Sequence, residues 1–413
     1  MNKPLRIIFA AGPGDVIGTY RHWKEGQDDP SQVSLTYSGQ FFDLCREIGA
    51  QGYAISSCAR RGLVIDGDFT VEHRPRPWPN ARGIFYHLAT IWSGLRFVIA
   101  AFRFRADVAV VAEGTTHWFV LSLLALRGVR VIPSLFCTLW PKFQEPRRPQ
   151  RLINRLNGRF FRRRATAILS ASEDIDKQVR RIAGDGGPSI WRFLPTYRHD
   201  TFATISPPPA EPGPFRVLFA GRIERDKGVF DLLEVARRLR DRGQSGIVFD
   251  LCGSGSALEA LRQAVTEAGI EEIFQVHGYC LRDRMQSMLS RSHALIVPTT
   301  IDFIEGFNQV VVEGILAGRP VITSAVCPAI EYVRDAVIEV EPGHLDGYAG
   351  AIVNLAGDPE IYREKQAACA FYQPQFYRSD MGWKAALGHA LPAHSCHRAG
   401  IISPSTPRTI ITS

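Results

Sequence analysis

Short apolar runs alternate with segments of helical periodicity along most of this chain. In the second half, helices are predicted at 228–242, 257–268, 307–317, 345–357 and 359–370. Strands are predicted at 5–10, 54–57, 108–112, 129–132 and 167–170, and then at 216–220, 247–252, 274–277, 294–297, 320–323 and 338–340. This alternation is typical of parallel α/β sheets. We therefore expect an α/β protein with two doubly wound parallel sheets.

A proline-rich segment separates the two series. Residues 206–214 read Ser-Pro-Pro-Pro-Ala-Glu-Pro-Gly-Pro, which cannot continue a helix or a central strand. We predict a linker here, between a first domain at 1–205 and a second at 215–375. The aromatic segment 376–391 could cross back to the first domain. Residues 392–413 are rich in Ser, Thr and Pro without periodicity, and we expect a disordered tail.

The composition is that of a soluble globular protein, with 45% hydrophobic and 22% charged residues. The first apolar run enters a glycine turn and is too short for a signal peptide. No run reaches about 18 uncharged apolar residues, so we expect no transmembrane helix. Eight cysteines stand singly, without the spacing of a zinc site. Reduced thiols and a cytoplasmic location are the expectation.

Positive charge is concentrated in the first half of the chain. Residues 1–206 hold 29 Lys and Arg against 17 Asp and Glu, whereas the remainder holds 20 against 24. Most of the excess lies at 85–105 and 147–164, where arginines stand among apolar residues. Such helices favour an anionic bilayer surface, and a solvated arginine-rich face is the alternative. No nucleic-acid-binding motif accompanies the charge, so nucleic acid is not an expected partner.

Two carboxylates surround a Gly-Phe step in the segment 298–323. Glu305 falls in the loop after the strand at 294–297, and Glu313 lies about two helical turns further on, too far away to share one proton. Gly306 lets the backbone approach a ligand, and free N–H groups at a helix start suit a phosphate. The pattern predicts two carboxylates with different roles on one phosphate-bearing ligand.

A second strand–helix loop supplies two cations. Arg222 and Lys227 flank a turn that opens into the helix at 228. Together they can neutralise two phosphate groups, although two surface cations would be the better explanation of this loop if it stood alone. Gly253-Ser-Gly255 and Gly278-Tyr279 end two further strands and are weak signals when taken singly.

In their order and spacing, these motifs resemble the retaining glycosyltransferases of family 4, which have the GT-B fold of two Rossmann-like domains facing across a cleft. The motifs are Gly221-Arg-x4-Lys-Gly228, Gly253-Ser-Gly255, Gly278-Tyr279 and Glu305-Gly-Phe-x5-Glu313. The resemblance runs from 217 to about 333. It implies transfer of a sugar from a nucleotide diphosphate sugar to an acceptor hydroxyl, with no cofactor and no divalent metal.

The resemblance also implies roles for individual residues. Arg222 and Lys227 would bind the donor pyrophosphate, Glu305 would contact the sugar, and Glu313 would hold the ribose hydroxyls. The remaining donor-binding candidates are Gly14, Gly221, Gly253, Gly255, Tyr279 and the backbone N–H groups of Gly306, Phe307 and Asn308.

The first domain departs from the family pattern. Glu113 and the pair at 136–137 occupy places where the family often has histidines. His117 follows a turn later and is the candidate catalytic substitute, although a capping or core histidine would explain it as well. Asn308 stands where glycine is usual. The long polar loop at 22–39 is a candidate acceptor site.

The acceptor suggested by the basic first domain is a glycan or lipid-linked precursor of surface polysaccharide, at the inner face of the cell membrane. Two other functions stay open: a nucleotide-sugar epimerase of the same fold, and a non-catalytic scaffold subunit that binds a nucleotide sugar. A metal-dependent transferase would need an Asp-x-Asp motif. Asp66-Gly-Asp68 and Asp174-Ile-Asp176 have that form but lie in a turn and in the first turn of a helix.

Overall fold

Two β-sheets flanked by helices make up the part of the chain that the structure describes. In this computed structural model, residues 3–184, 186–209, 213–244 and 246–391 are described. The tail predicted at 392–413 and residues 210–212 of the predicted linker lie outside these ranges.

The first sheet has eight strands in the spatial order β3-β4-β2-β1-β5-β6-β7-β8. All neighbouring strands are parallel except β3 and β4, which form an antiparallel pair at one edge. The strands are β1 Arg6–Ala10, β2 Gln51–Ser56, β3 Gly62–Asp66, β4 Phe69–His73, β5 Val108–Ala112, β6 Arg130–Leu135, β7 Ile168–Ser170 and β8 Ile190–Arg192.

The second sheet has six parallel strands in the spatial order β11-β10-β9-β12-β13-β14. This is the doubly wound arrangement in which the chain starts in the middle and reverses direction across the sheet. The strands are β9 Phe215–Ala220, β10 Ile247–Cys252, β11 Phe274–Gly278, β12 Ala294–Val297, β13 Val321–Ser324 and β14 Val337–Val340. The prediction of two doubly wound α/β domains is confirmed.

Helices fill the connections between the strands. They are α1 Val16–Lys24, α2 Tyr37–Ile48, α3 Gly83–Phe104, α4 Ser122–Ala125, α5 Arg148–Arg163, α6 Glu173–Ala183, α7 Asp200–Ala203, α8 Val229–Asp241, α9 Leu258–Ala268, α10 Arg282–Arg291, α11 Gln309–Leu316, α12 Ile330–Val333, α13 Leu345–Gly357, α14 Pro359–Tyr372 and α15 Trp383–Ala390.

Three strands of the first sheet were not predicted from the sequence: β3, β4 and β8. Strand β3 lies at the edge, where Leu63 and Ile65 point to solvent, so it lacks the continuous apolar run of a buried strand. Strand β8 has only three residues and none of them is fully buried. The edge pair also makes the sheet mixed, whereas a purely parallel one was expected.

Helix α3 is the one helix within the described residues that is long and apolar enough to cross a membrane. The expectation of no transmembrane helix stays a prediction, because Arg96 interrupts the apolar run of this helix. Its inner face, with Phe97, Val98 and Ala101, is buried in the core of the first domain. Because α3 packs on the sheet in this way, its length and composition are also those of a core helix.

The last described helix lies on the first domain. Helix α15 packs against α2, β7 and β8. The segment returning to it runs beside the outgoing one: Leu194 N–H donates to the carbonyl of Met381, and Tyr197 N–H donates to that of Phe376, both at 2.9 Å. Trp383 is completely buried, and its Nε1 donates to Ser134 Oγ at 2.9 Å.

Replacing Trp383 by alanine is expected to lower the free energy of unfolding by about 3–5 kcal/mol, because it leaves a cavity and an unpaired hydroxyl in the first domain. Denaturant unfolding of the whole chain measures the change. Trp92→Ala is the matched control, since Trp92 is 48% exposed, and it should change stability by less than about 0.5 kcal/mol. Equal losses in the two variants would contradict the packing described for α15.

Candidate active site

The candidate site lies where the carboxyl ends of the central strands of both sheets meet. The loops after β9 and β12 form one wall, and the loops after β1, β5 and β6 form the other. In doubly wound sheets, ligands bind at this edge, where the strand order reverses.

Glu305 is the centre of a polar cluster in the second domain. Its Oε2 accepts from Lys227 Nζ at 2.7 Å, from Asn308 Nδ2 at 3.1 Å and from Thr299 Oγ1 at 3.3 Å. Its main-chain carbonyl accepts from the N–H of Thr138, in the first domain, at 3.1 Å and from the hydroxyl of the same residue at 3.2 Å. The carboxylate is thus buried and paired with a cation, and the main chain of Glu305 is held by the first domain.

Two cations lie over the ring of Phe303. The ammonium of Lys227 is 3.6 Å from the ring centroid and the guanidinium carbon of Arg222 is 5.5 Å from it. Arg222 is exposed, and no carboxylate lies within 4.0 Å of it among the described residues. Its donors are therefore available to an anionic ligand.

The predicted glycines allow two loops to touch. A Cβ on Gly253 would lie 1.7 Å from the carbonyl oxygen of Gly221, and one on Gly255 would lie 2.2 Å from that of Ile223. Gly253 N–H donates to the carbonyl of Gly278, which places exposed Tyr279 beside the same loops. These residues line one wall together, and their contact with a ligand stays a prediction.

The Gly306–Asn308 step precedes the helix rather than forming its first turn, because α11 begins at Gln309 and not at 307. Asn308 has a φ of +58°, in the left-handed region where asparagine substitutes for glycine at low cost. This explains why asparagine can stand where glycine is usual. Phe307 packs on Tyr332 with ring centroids 5.3 Å apart, so only its backbone could meet a ligand.

Glu313 lies on α11 without a hydrogen bond to its carboxylate from any described residue. Burial raises the pKa of this carboxyl to about 7. A buried carboxylate without donors is costly, and ligand hydroxyl groups would supply them. The predicted ribose contact agrees with this geometry and stays a prediction.

The opposite wall carries a second carboxyl. Glu113 follows β5, and its Oε2 accepts from the N–H groups of Phe136 at 2.5 Å and Cys137 at 2.9 Å. Burial raises the pKa of Glu113 to about 7 against the opposing effect of these hydrogen bonds. Burial raises the pKa of the Cys137 thiol, and the charges of Glu113 and then of Glu305 raise it further. Both carboxylates therefore lie close to Cys137.

His117 lies beside a second histidine, His87. Its Nε2 lies 3.0 Å from Nδ1 of His87 on α3, and no contact with Glu305 or Lys227 is found among the described residues. Burial, and then His87, lowers the pKa of His117 to about 4. The structure therefore does not bring His117 to the cluster. Gly14 is exposed in the loop after β1, with open space around it.

The segment predicted as a loop at 22–39 is helical at both ends, in α1 up to Lys24 and in α2 from Tyr37, and the part between them reaches the second domain at Gln309. Ser34 Oγ donates to Gln309 Oε1 at 3.3 Å, and Leu35 N–H donates to the carbonyl of Thr196 at 2.8 Å. The loop thus borders the start of α11. Thr138, Thr299, Phe303 and Gln309 were not predicted as site residues, and only the position of Thr299 and Phe303 between the strand and Glu305 could have indicated them.

The two Asp-x-Asp motifs serve other contacts. Asp66 accepts from Tyr20 Oη at 3.1 Å, Asp174 pairs with Lys142 at 2.8 Å, and Asp176 pairs with Arg192 at 2.6 Å. Across the described ranges, no group of three or more His, Cys, Asp or Glu is arranged to hold a metal ion.

The GT-B fold consists of two α/β domains with mainly parallel sheets and a ligand-binding cleft between them. Sucrose-phosphate synthase from Thermosynechococcus elongatus superimposes with a TM-score of 0.70 at 15% identity, over 93% of this chain and 97% of that one. HepE from Anabaena, in complex with UDP, superimposes with a TM-score of 0.64 at 14% identity, over 94% and 100%. These similarities establish the fold.

The second domain also matches a family model. Residues 202–370, less than half of the chain, match the model described as glycosyl transferases group 1. Glycogen synthase from Mycobacterium tuberculosis is 24% identical over 254 residues, which are 60% of this chain and 58% of that protein. The match thus spans less than two thirds of this relative's length.

Replacing Gly306 by alanine is expected to prevent the present contact between the domains. The new Cβ would lie 2.1 Å from the carbonyl oxygen of Phe136, so the loop must shift or the cleft must open. Thermal unfolding should show a loss of about 1–3 kcal/mol. Gly350→Ala, in helix α13 with open space around the new Cβ, is the control and should be neutral or stabilising. A neutral Gly306→Ala would contradict the close approach.

Replacing Glu113 by glutamine should change how stability depends on pH. The folded-state pKa of Glu113 is about 7, above the unfolded value of about 4.3, so its contribution to stability falls as pH rises between these values. Glu113→Gln should therefore become more stable relative to the unmodified protein from about pH 5 to about pH 8. Unfolding midpoints across this range test it, and Glu234→Gln, on an exposed helix face, is the control. A difference independent of pH would contradict the raised pKa.

Proposed function

We propose that this protein is a glycosyltransferase that moves a sugar from a nucleotide diphosphate sugar to an acceptor hydroxyl with retention of configuration. The observation that carries the proposal is the Glu305–Lys227 pair, with Arg222 beside it over the ring of Phe303. A carboxylate that can accept sugar hydroxyls thus lies next to two cations that can hold a diphosphate. The match of 202–370 to the glycosyl transferases group 1 model supports it.

In the proposed reaction, the bond between the anomeric carbon and the diphosphate oxygen breaks, and its electron pair leaves with the diphosphate. Arg222 and Lys227 stabilise that charge, so the proposal needs no divalent metal. The acceptor oxygen bonds to the anomeric carbon on the same face and gives its proton to the departing phosphate. Glu305 orients the sugar hydroxyls, and Glu313 accepts from the ribose.

The donor is proposed to be a nucleotide sugar because the fold neighbour HepE is in complex with UDP and the relative named above is a synthase of a glucose polymer. The acceptor is proposed to be a glycan or lipid-linked precursor of surface polysaccharide. The chain would act in the cytoplasm, at the inner face of the cell membrane.

A non-catalytic scaffold subunit is the second candidate function. The absence of a contact between His117 and the Glu305 cluster, among the residues described, favours it over the enzyme. The pairing of Lys227 with Glu305, Arg222 beside that pair and the predicted role of Glu313 support the enzyme. An epimerase would convert the donor with no second substrate, so product analysis with donor alone distinguishes it.

Glu305→Gln should keep donor binding and lose turnover. Glutamine preserves the shape but removes the charge facing the sugar, so release of nucleoside diphosphate should fall by about a hundredfold or more. The assay uses a panel of UDP- and GDP-sugars, first ranked by the rise in melting temperature that binding causes.

Glu234→Gln is the control for Glu305→Gln, since Glu234 pairs only with arginines on an exposed helix face. Its turnover should match that of the unmodified protein. Full turnover by Glu305→Gln, or no nucleotide sugar that raises the melting temperature, would refute the proposed function. A donor that stabilises the unmodified protein without ever being consumed would identify a scaffold subunit.

A further inference from the structure

The outer face of α3, α4 and α5 exposes large apolar side chains. The strands β4, β5, β6 and β7 follow one another mostly in one direction across the sheet, so right-handed connections place these helices on the same side. Helices α3 and α5 both contact the turn that leads into α4. The exposed apolar residues include Ile84, Phe85, Leu88, Trp92, Leu126 and Leu152. We call this surface the α3–α5 face.

The apolar side chains of this face are too exposed and too closely spaced to be scattered surface residues. Ile84 is 70% exposed, Phe85 and Leu152 are 64% exposed, and Leu126 is 61% exposed. Ile84, Leu88 and Trp92 are spaced by four residues, so they form one stripe along α3, opposite its buried face. Contiguous apolar surface of this kind marks a contact with a partner or a membrane.

The same face carries arginines without acidic partners. Residues 147–164, which include α5, contain eight arginines and no Asp or Glu. Among the described residues, none of the eight lies within 4.0 Å of a carboxylate oxygen. On α5, Arg155, Arg159 and Arg163 are exposed and recur every four residues, beside Leu152 and Leu156. Cations and exposed apolar residues therefore share one surface.

We propose that the α3–α5 face docks on an anionic phospholipid bilayer, with the apolar stripe of α3 inserted among the acyl chains and the arginines of α5 on the lipid phosphates. A helix with Trp, Phe and Leu on one side and basic residues nearby is suited to the interface between headgroups and acyl chains. Binding requires no substrate, so this proposal can fail or hold independently of the proposed function.

Charge distinguishes a bilayer from other partners. A second copy of the chain would bring the arginines of α5 against each other, which disfavours self-association through this face. Nucleic acid would pair with the arginines but would leave Ile84, Phe85 and Leu88 in water, since phosphate and sugar groups offer no apolar surface. An anionic bilayer satisfies both the apolar and the basic parts.

The position of α3 connects this face with the candidate site, and this step rests on the proposed function. The start of α3 lies at the carboxyl edge of the first sheet, where His87 contacts His117 in the loop after β5. Arg76 donates to the carbonyl of Gly114 in the same loop. The docked face would thus border the wall of the cleft that the first domain forms. This position suits an acceptor that stays in the bilayer.

The test is co-sedimentation of the full chain with phosphatidylcholine vesicles, with and without about 30% phosphatidylglycerol. The unmodified protein should bind the anionic vesicles and be released by about 0.5 M salt only in part, because insertion does not depend on screening. Phe85→Ser with Leu88→Ser should lower the partition coefficient at least tenfold. Arg155→Gln, Arg159→Gln and Arg163→Gln together should lower it about a hundredfold on anionic vesicles and little on neutral ones.

Matched controls keep the test specific. Phe371→Ser removes a side chain that is 76% exposed on α14. Arg237→Gln, Arg240→Gln and Arg363→Gln together remove three exposed charges of the second domain. Both controls should bind vesicles as the unmodified protein does, and every variant should show unchanged thermal unfolding and donor-induced stabilisation. No vesicle binding by the unmodified protein, equal losses in test and control variants, or dimers that Phe85→Ser abolishes would overturn the proposal.

Discussion

Glu305 is held by both domains at once, and the candidate site depends on that constraint. Its carbonyl accepts two hydrogen bonds from Thr138 across the cleft, while its carboxylate is paired with Lys227 of its own domain. Only glycine fits at position 306, because the carbonyl of Phe136 occupies the space that a side chain would need. Contact between the domains therefore fixes the main chain at Glu305, while residues of the second domain orient its carboxylate.

The unpaired groups of the site suit an anionic ligand that also carries hydroxyl groups. Lys227 already neutralises Glu305, whereas Arg222 has no acidic partner among the described residues and Glu313 has no hydrogen-bond donor. A ligand with phosphate near Arg222 and hydroxyls near Glu313 would satisfy both groups. It would also compete with Glu305 for Lys227, so binding and orientation of the carboxylate are coupled.

The sequence was sufficient where local pattern decides structure. The apolar runs of β5, β9 and β12 are buried on both faces, so their residues identify them as strands without knowledge of the fold. The edge pair β3–β4 shows no such run. The partner of His117 was beyond reach for another reason: His87 is thirty residues away, and only the packing of α3 brings the two rings together. The contact of Thr138 with Glu305, 167 residues apart, is likewise set by the meeting of the domains.

The two segments that pass between the domains lie side by side. Leu194 and Tyr197 on the outgoing segment bond to Met381 and Phe376 on the returning one. These hydrogen bonds hold the returning segment on the first domain before it enters α15. Helix α15 packs as part of the first domain. A fragment ending at residue 205 would therefore lack Trp383 and would expose to water the buried site that this side chain fills.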